Sequence, residues 1–221
     1  MPCPAEAGSD EEAEMTKGER TKQKIVRNAA PIFNTKGYEG TSLSDLMTAT
    51  GLQKGGIYRH FASKEELAAE AFDYAWGKAV SGRLDGVSDV SNSVDRIEKM
   101  IANFVEKRSG LVEGGCPLLN TAIESDDGNA LLRGRARKAL RTWSERISAL
   151  VKEGKAKQEI DARTDPQKLS QLIIGSLEGA LMISRIDAND GVLADARTFL
   201  NEYLEEKVRT AKRYSPRKRV S

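Results

Sequence analysis

The side chains best suited to a chemical task lie in one short stretch of the chain, residues 53–64. Its hydrogen-bond donors are Gln53, Lys54, Tyr58, Arg59, His60 and Lys64. These residue types donate to phosphate oxygens and to base edges in a groove of DNA. Gly55 and Gly56 lie among them and would let a polyanion approach the backbone closely. Each glycine costs a helix about 1 kcal/mol, which a purely structural helix would avoid.

Catalytic and metal chemistry find little support in the same stretch. His60 is the only histidine of the chain, so neither a histidine-based metal site nor a triad with a second histidine can form. The glycines between Gly51 and Gly56 lack the spacing of a nucleotide-binding loop and follow no predicted strand. We therefore predict no catalytic residues, no metal and no cofactor. A helical enzyme is the disfavoured alternative.

Charge is distributed unevenly along the chain. Residues 1–16 carry five acids and no base, whereas residues 17–64 carry nine Lys and Arg against three acids. Residues 207–221 add seven bases and no acid, so the body between is acidic. A basic module of about 50 residues indicates a polyanionic partner, and DNA is the commonest. A solvated basic surface is the alternative that charge alone leaves open.

Composition predicts a helical protein of the cytoplasm. The chain has 221 residues, of which 39% are hydrophobic and 31% charged, and only six are proline. We find no stretch of about 18 apolar residues and no signal-like start, and so predict neither a membrane span nor secretion. Cys3 and Cys116 lie far apart in the sequence, which disfavours a disulfide and fits a reducing compartment.

Helical periodicity runs through nearly the whole chain and predicts an all-α fold of about nine helices without strands. The first helix is expected over residues 19–35, with a bend at Pro31 and a stop at Gly37. Thr41 or Ser42 should cap the second, with Asp45 as the capping-box partner of Ser42. Gly51 then forms a turn before a third helix over residues 53–60. Ser63 should cap a fourth helix, with Glu66 three residues on, and this helix ends near residue 80.

The remaining helices are predicted over residues 94–108, 117–126, 129–154, 166–186 and 192–212. Asp165 should cap the helix that begins at residue 166. The inward face of the helix 129–154 should consist of Leu132, Leu140, Trp143, Ile147 and Leu150. The expected domain organisation is a disordered acidic arm (1–16), a helix-turn-helix DNA-binding domain (17–64), a helical ligand-binding and dimerisation domain (65–212) and a basic tail (213–221). In a helix-turn-helix the second of the two helices lies in the major groove, so residues 53–60 are the expected recognition helix.

The sequence around these helices resembles the signature of the tetracycline-repressor (TetR) family. The resemblance covers about residues 20–67, and its most specific runs are residues 41–46 and 51–67, preceded by Phe33, Gly37, Tyr38 and Gly40. It implies an all-helical, dimeric repressor that binds a palindromic operator in double-stranded DNA and is released by a small-molecule effector. Gly56 departs from the family pattern, in which a small hydroxyl residue is usual, and Ala62 replaces a frequent proline.

The resemblance also implies roles for single residues. Thr41 or Ser42 would contact a phosphate at the start of the second helix, and Gln53 and Lys54 would reach base edges or nearby phosphates. The DNA backbone would be held by Tyr58, His60 and Lys64. Arg59 would read a guanine or bind phosphate.

The C-terminal half carries weaker signals. Five residues could together line an effector cavity, although each alone is more typical of a core: Trp76, Phe104, Cys116, Leu118 and Trp143. Cys116 could instead be a redox sensor, although a buried core thiol is the more common role. Small residues on the helix 166–186, among them Gly175 and Gly179, favour a homodimer through the last two helices. A ligand-independent regulator and an activator remain alternatives.

Overall fold

The computed structural model describes residues 15–106, 112–126 and 128–210. Within these ranges the chain is helical and forms no strand, and one isolated bridge joins Ile160 to Arg209. The helices are α1 (Lys17–Gly40), α2 (Leu43–Thr50), α3 (Lys54–Tyr58), α4 (Lys64–Leu84), α5 (Ser93–Glu106), α6 (Pro117–Ser125), α7 (Ala130–Ala156), α8 (Pro166–Ile186) and α9 (Gly191–Tyr203). The predicted basic tail and all but the last two residues of the acidic arm lie outside the described residues.

The described residues form two compact units. The first contains residues 15–81, 112–126 and 128–140, and the second contains residues 82–106 and 141–210. The first unit thus contains more than the three N-terminal helices, and in it α6 packs against α1. Helix α4 begins at Lys64 in the first unit and ends at Leu84 in the second.

Helix α1 is longer than predicted because both of its ends are stabilised by specific contacts. Thr16 caps its start in a capping box with Glu19, two residues earlier than expected. Pro31 keeps helical backbone angles. The interruption occurs at Gly37, whose φ of 75° and ψ of 173° are not helical, and a last turn follows to Gly40. The expected stop at Gly37 is therefore a kink.

The core of the helix-turn-helix is a cluster of apolar side chains from the first four helices and from the connection between α3 and α4. It consists of Ile25, Val26, Ala29, Leu46, Ile57, Phe61 and Leu67. Burying a side chain of this size contributes about 1.5–3 kcal/mol, so the cluster fixes α3 on α1 and α2. Gly51 adopts the left-handed conformation that the tight turn between α2 and α3 requires.

In the second unit, α8 and α9 pack on each other and both contact α5. The predicted cap at Asp165 is confirmed, since its carboxylate accepts the backbone N–H groups of Gln167 and Lys168 at 2.9 and 3.1 Å. The expected end of the last helix at residue 212 is wrong: α9 ends at Tyr203 and continues as a π-helical turn, Leu204–Val208. Leu140, predicted to face inward, is 44% exposed.

Candidate nucleic-acid interface

The start of α2 is organised by a capping box and an ion pair. Ser42 Oγ accepts the backbone N–H of Asp45 at 3.1 Å, and Asp45 Oδ2 accepts that of Ser42 at 2.9 Å. Lys36 Nζ lies 2.6 Å from Asp45 Oδ1. Hydrogen bonding from Lys36, and secondarily from Ser42, lowers the pKa of Asp45 well below its usual range. Ser42 is exposed at this cap, and its hydroxyl also donates to Asp45 Oδ2 at 2.7 Å.

Thr41 has a different role from the one expected. Its side chain is 1% exposed, and its hydroxyl donates to the carbonyl of Gly37 at 2.5 Å. A side chain this deeply buried is not available to a phosphate, so the exposed Ser42 is the better candidate of the two at the start of α2. Thr41 instead closes the kinked last turn of α1.

Helix α3 exposes its polar side chains to solvent, and its buried Ile57 packs into the apolar cluster described above. Gln53 forms the N-cap without a side-chain capping bond, so its amide remains available, and Lys54 and Arg59 are exposed. A Cβ added at Gly55 would meet no atom within 4 Å, whereas one at Gly56 would contact Leu52 at 3.4 Å. Gly55 is therefore the glycine on the open side of the helix.

The residues expected to hold the DNA backbone differ in their exposure. The side chain of Tyr58 is exposed to solvent, and that of His60 is half-buried beside Phe61. Lys64 Nζ lies 4.4 Å from the centroid of the Tyr38 ring, a cation–π contact that orients the ammonium group at the start of α4. The aromatic ring thus pre-positions a cation close to α3 in the chain.

The carboxylate of Glu124 in α6 stabilises the kink at Gly37 in α1. The backbone N–H groups of Tyr38 and Glu39 donate to Oε2 and Oε1 of Glu124 at 2.8 and 2.9 Å. The kink at Gly37 leaves both N–H groups without partners in their own helix, and an anion at such a helix start is favoured by the dipole as well. Glu124 therefore acts as the cap of the last turn of α1.

A second polar joint connects α1 to the turn before α6. Asn34 Nδ2 donates to the carbonyl of Glu113 at 2.8 Å, and Asn120 Nδ2 donates to the carbonyls of Asn34 and Gly114 at 3.0 and 2.9 Å. These side chains satisfy main-chain groups that a buried turn would otherwise leave unpaired. Asn34, Asn120 and Glu124 were not singled out from the sequence; an asparagine within the apolar stripe of α1 is the one local signal for this joint.

The five residues expected to line an effector cavity are divided between the units. Trp76, Cys116 and Leu118 belong to the first, and Phe104 and Trp143 to the second. In the second unit, Phe104 and Trp143 pack against Arg83, whose guanidinium carbon lies 4.5 and 5.4 Å from the two ring centroids. Arg83 also pairs with Glu178 at 3.4 Å, and both residues are buried.

One group of carboxylates in the described residues could in principle share a cation: Asp95, Glu98 and Glu205. Arg209 already supplies a positive charge there. Its guanidinium pairs with Asp95 and lies 2.6 Å from Glu205 and 4.0 Å from Glu98. The group is therefore an ion-pair network that joins α5 to the π-helical turn.

Comparison with known proteins places this interface in a family. Residues 25–71 match the model of bacterial regulatory proteins of the tetR family, and residues 93–200 match the tetracyclin repressor-like C-terminal domain. A TetR transcriptional regulator from Chloroflexus aurantiacus is 46% identical and superimposes with a TM-score of 0.84 over 89% of this chain and 100% of its own. This chain belongs to the TetR family.

Further relatives agree with this membership. A TetR-family regulator from Cytophaga hutchinsonii is 35% identical, with a TM-score of 0.85 over 90% of this chain and all of its own. The HTH-type transcriptional repressor DhaR of Mycobacterium sp. (strain GP1) is 24% identical over 83% of this chain and 91% of its own length. TetR-family proteins are DNA-binding transcriptional regulators, not enzymes, which confirms the function class and the all-α fold expected from the sequence.

Gly55 provides a test of close approach by DNA. Gly55→Ala should raise the free energy of unfolding by about 0.5–1 kcal/mol, because alanine favours the helix and the site is open. The same methyl group should weaken DNA binding by roughly tenfold if the α3 backbone lies against DNA. Gly134→Ala is the control, since Gly134 lies in α7 and is equally open. Urea unfolding and fluorescence anisotropy measure the two effects, and equal DNA affinity in both variants would contradict the proposed contact.

The capping box of α2 predicts a specific pH dependence. Because the pKa of Asp45 is lowered in the folded protein, its ionised form stabilises the fold fully above the ordinary value of 3.8. That stabilisation is lost as the pH falls through the lowered folded value. Asp45→Asn should therefore unfold at lower urea concentration than the wild type at pH 7, with the difference narrowing below pH 3.8. A difference that is constant with pH would show that ionisation of Asp45 is not the cause.

Proposed function

We propose that this TetR-family regulator is a repressor that binds a palindromic operator as a homodimer and is released by a small-molecule effector. The observation that carries the proposal is the exposed surface of α3. Gln53, Lys54 and Arg59 face solvent there and, among the described residues, make no ion pair or side-chain hydrogen bond. Donors left unsatisfied on a short helix that is anchored by Ile57 are suited to phosphates and base edges.

Binding of the chain to the DNA upstream of its own gene tests this proposal. The double substitution Tyr58→Ala/Lys64→Ala should weaken binding in a mobility-shift titration by about 100-fold, since a charge-assisted contact and a second hydrogen bond are lost in each protomer. Lys152→Ala is the control, because it removes an exposed lysine from α7 in the second unit. A double variant that binds as tightly as this control would exclude the assigned surface.

The exposed face of α8 and α9 supports dimerisation through these helices. Its large apolar residues are Leu172, Met182, Ile183, Ile186, Phe199 and Tyr203. On α8 they share a face with Gly175 and Gly179, where an added Cβ would meet nothing within 4 Å. A contiguous apolar face of this kind marks an interface, and the glycines would allow a partner helix to approach closely.

Helix α8 also has the length and apolar composition to cross a membrane, although the sequence contains no stretch of about 18 apolar residues. Half of the apolar window is buried inside the protein, where α8 packs on α9 and α5. The dimer interface accounts for the other half. We therefore propose a cytoplasmic, DNA-bound protein with no membrane partner.

The proposed effector site centres on Arg83 in the second unit. A buried ion pair is costly to form, and Arg83 and Glu178 lie among apolar residues with Phe104 and Trp143 over the guanidinium. Asn103 Nδ2 donates to the carbonyls of Arg83 and Asp85 at 3.1 and 2.8 Å and so fixes the end of α4. An effector that binds Arg83 in place of Glu178 would displace the end of α4, the helix that starts at Lys64 shortly after α3.

Substitutions at this pair separate effector response from DNA binding. Arg83→Met/Glu178→Met removes both charges, so that neither is left buried without its partner. It should leave operator affinity within about threefold of the wild type while abolishing release by an inducer found in a screen on the wild type. An effector acts only through different affinities for the two conformations, so losing its contact removes the response. Arg141→Met, at an exposed arginine of α7, is the control. Unchanged release in Arg83→Met/Glu178→Met would exclude this site.

The redox alternative at Cys116 is not favoured. The thiol is 4% exposed at the N-terminal cap of α6, and reactive cysteines are accessible as well as acidic. Cys116 packs in the first unit as a small apolar residue. Operator binding should be unchanged by peroxide and by Cys116→Ser, measured by mobility shift.

A further inference from the structure

A groove along α1 carries positive charge outside the candidate nucleic-acid interface. It lies between α1 and α4 in the first unit and has a volume of about 810 Å³. Arg20, Gln23, Lys24 and Arg27 line it at the spacing of a single helix face, and Lys78 of α4 lies opposite. The groove is thus a basic channel open to solvent.

The acids that border the groove are already engaged. Glu19 is held by Thr16 in the capping box, which lowers the pKa of its carboxyl, and Glu70 pairs with Lys22 at 2.6 Å. Arg20, Lys24 and Arg27 make no ion pair among the described residues. Lys78 Nζ lies 5.8 Å from the Tyr74 ring centroid. The groove therefore keeps a net positive charge that favours an anionic occupant.

We propose that the acidic segment of residues 1–14 of the same chain occupies this groove and competes there with DNA phosphates. The segment carries five acids and no base: Glu6, Asp10, Glu11, Glu12 and Glu14. Its attachment favours the same occupant, because Met15 itself lines the groove. Fourteen residues can span up to about 46 Å, whereas the rise along α1 from Arg20 to Arg27 is only about 10 Å.

Competition with DNA follows from the location of the groove. Lys22 on its border lies with its ammonium group 5.2 Å from the Phe61 ring centroid, and Phe61 directly follows His60 of the candidate interface. An acidic segment bound there would repel the phosphates of DNA held by α3. It would weaken non-specific binding most, since that binding is almost entirely electrostatic.

Crosslinking in the full-length chain tests the docking without DNA. Cys3 provides a thiol within the segment, and Gln23→Cys places a second in the groove, whereas Cys116 is buried. A short bismaleimide should join Cys3 to residue 23 at low salt with a yield several-fold above that to residue 48 in the control Thr48→Cys, an exposed position on α2. The yield should fall to the control level when the five acids are replaced by Gln and Asn, or at high salt. Mixed isotope labelling confirms that the link is within one chain.

Equal yields at residues 23 and 48, or a yield that does not respond to removal of the acids, would overturn the docking. The competition has its own readout. The neutralised segment should tighten non-specific DNA binding by roughly tenfold at low salt, with a gain that shrinks as salt increases. A neutralised chain that binds non-specific DNA no more tightly would overturn the competition. The competition would also be contradicted if neutralising the segment tightened DNA binding equally in a chain that carries Arg20→Glu/Lys24→Glu/Arg27→Glu. The effect of the segment would then not depend on the groove. The crosslink does not depend on DNA binding, so its failure is separable from failure of the proposed function.

Discussion

The double substitution Ile183→Arg/Phe199→Arg should convert the protein to a monomer and lower operator affinity by at least about 100-fold. Ile183 on α8 and Phe199 on α9 are 42% and 60% exposed on the proposed dimer face. Two arginines per protomer would place four like charges in a desolvated apolar interface, which costs several kcal/mol. A monomer presents one recognition helix, so it loses the gain in affinity that bivalent binding provides, which is on the order of 10²–10⁴-fold.

The control for this prediction is Leu131→Arg, which introduces the same charge at a leucine of α7 in the first unit that is 40% exposed. Sedimentation velocity at micromolar concentration should show a dimer for the wild type and for this control, and a monomer for the double variant. Circular dichroism should show equal helicity in all three. A folded double variant that remains dimeric would assign the dimer interface to a different surface.

Gly37→Ala should destabilise the fold by about 2–5 kcal/mol and abolish operator binding at the temperature where the wild type still binds. At φ 75° and ψ 173° the backbone is in a region that is essentially restricted to glycine, which costs other residues about 1–3 kcal/mol. An added Cβ would also lie 2.5 Å from Glu124 Oε1 and displace the carboxylate that caps the last turn of α1. Losing such a cap costs about another 1–2 kcal/mol.

Gly51→Ala separates these causes. Gly51 also has a positive φ, 69°, but its Cβ would meet nothing within 4 Å, so the expected loss is only about 1 kcal/mol. Introducing Gly37→Ala into a Glu124→Ala background removes the clash and should cost less than it does in the wild type. Urea unfolding of the four variants measures both terms. If Gly37→Ala costs the same in both backgrounds, Glu124 does not contribute to the kink.

The helix-turn-helix could be predicted from the sequence because its signals are local. Ser42 with Asp45 and Ser63 with Glu66 each lie within one helical turn, and both pairs form the expected capping contacts. Gly51 was expected at the turn because only a left-handed residue can close it. Such signals depend on neighbours in the chain and not on the tertiary fold, which is why these boundaries agree closely with the structure.

The joint between α1 and α6 could not be predicted, because its partners are about 80 residues apart in the sequence. Asn34 donates to Glu113 and Gly115, and Glu124 accepts from Tyr38 and Glu39. Nothing in the periodicity of either segment encodes these pairs. The family resemblance implied a phosphate contact for Thr41 or Ser42. The burial of Thr41, whose hydroxyl donates to the carbonyl of Gly37, has no such signal in the sequence.

In the second half of the chain, helical periodicity predicted only some of the buried residues. Trp143, Ile147 and Leu150 are buried as their spacing predicts, whereas Leu140 on the same stripe of α7 is exposed. Periodicity identifies an apolar face but not how far along a helix that face is covered. The residues proposed for the effector site give no local signal in the sequence beyond being apolar. The buried pair of Arg83 and Glu178 gives none either, because a buried ion pair looks like two surface charges in a sequence.

Hydroxyl-radical footprinting of the wild-type protein on DNA selected from a random pool tests the central claim most directly. A dimer with one recognition helix per protomer should protect two half-sites related by inverted symmetry, with centres about 34–36 Å apart or a multiple of one DNA turn. Tyr58→Ala/Lys64→Ala should lose both half-sites together. Protection of a single unrepeated site, or protection that survives this double substitution, would contradict the assignment of α3 as the recognition helix of a dimeric operator-binding protein.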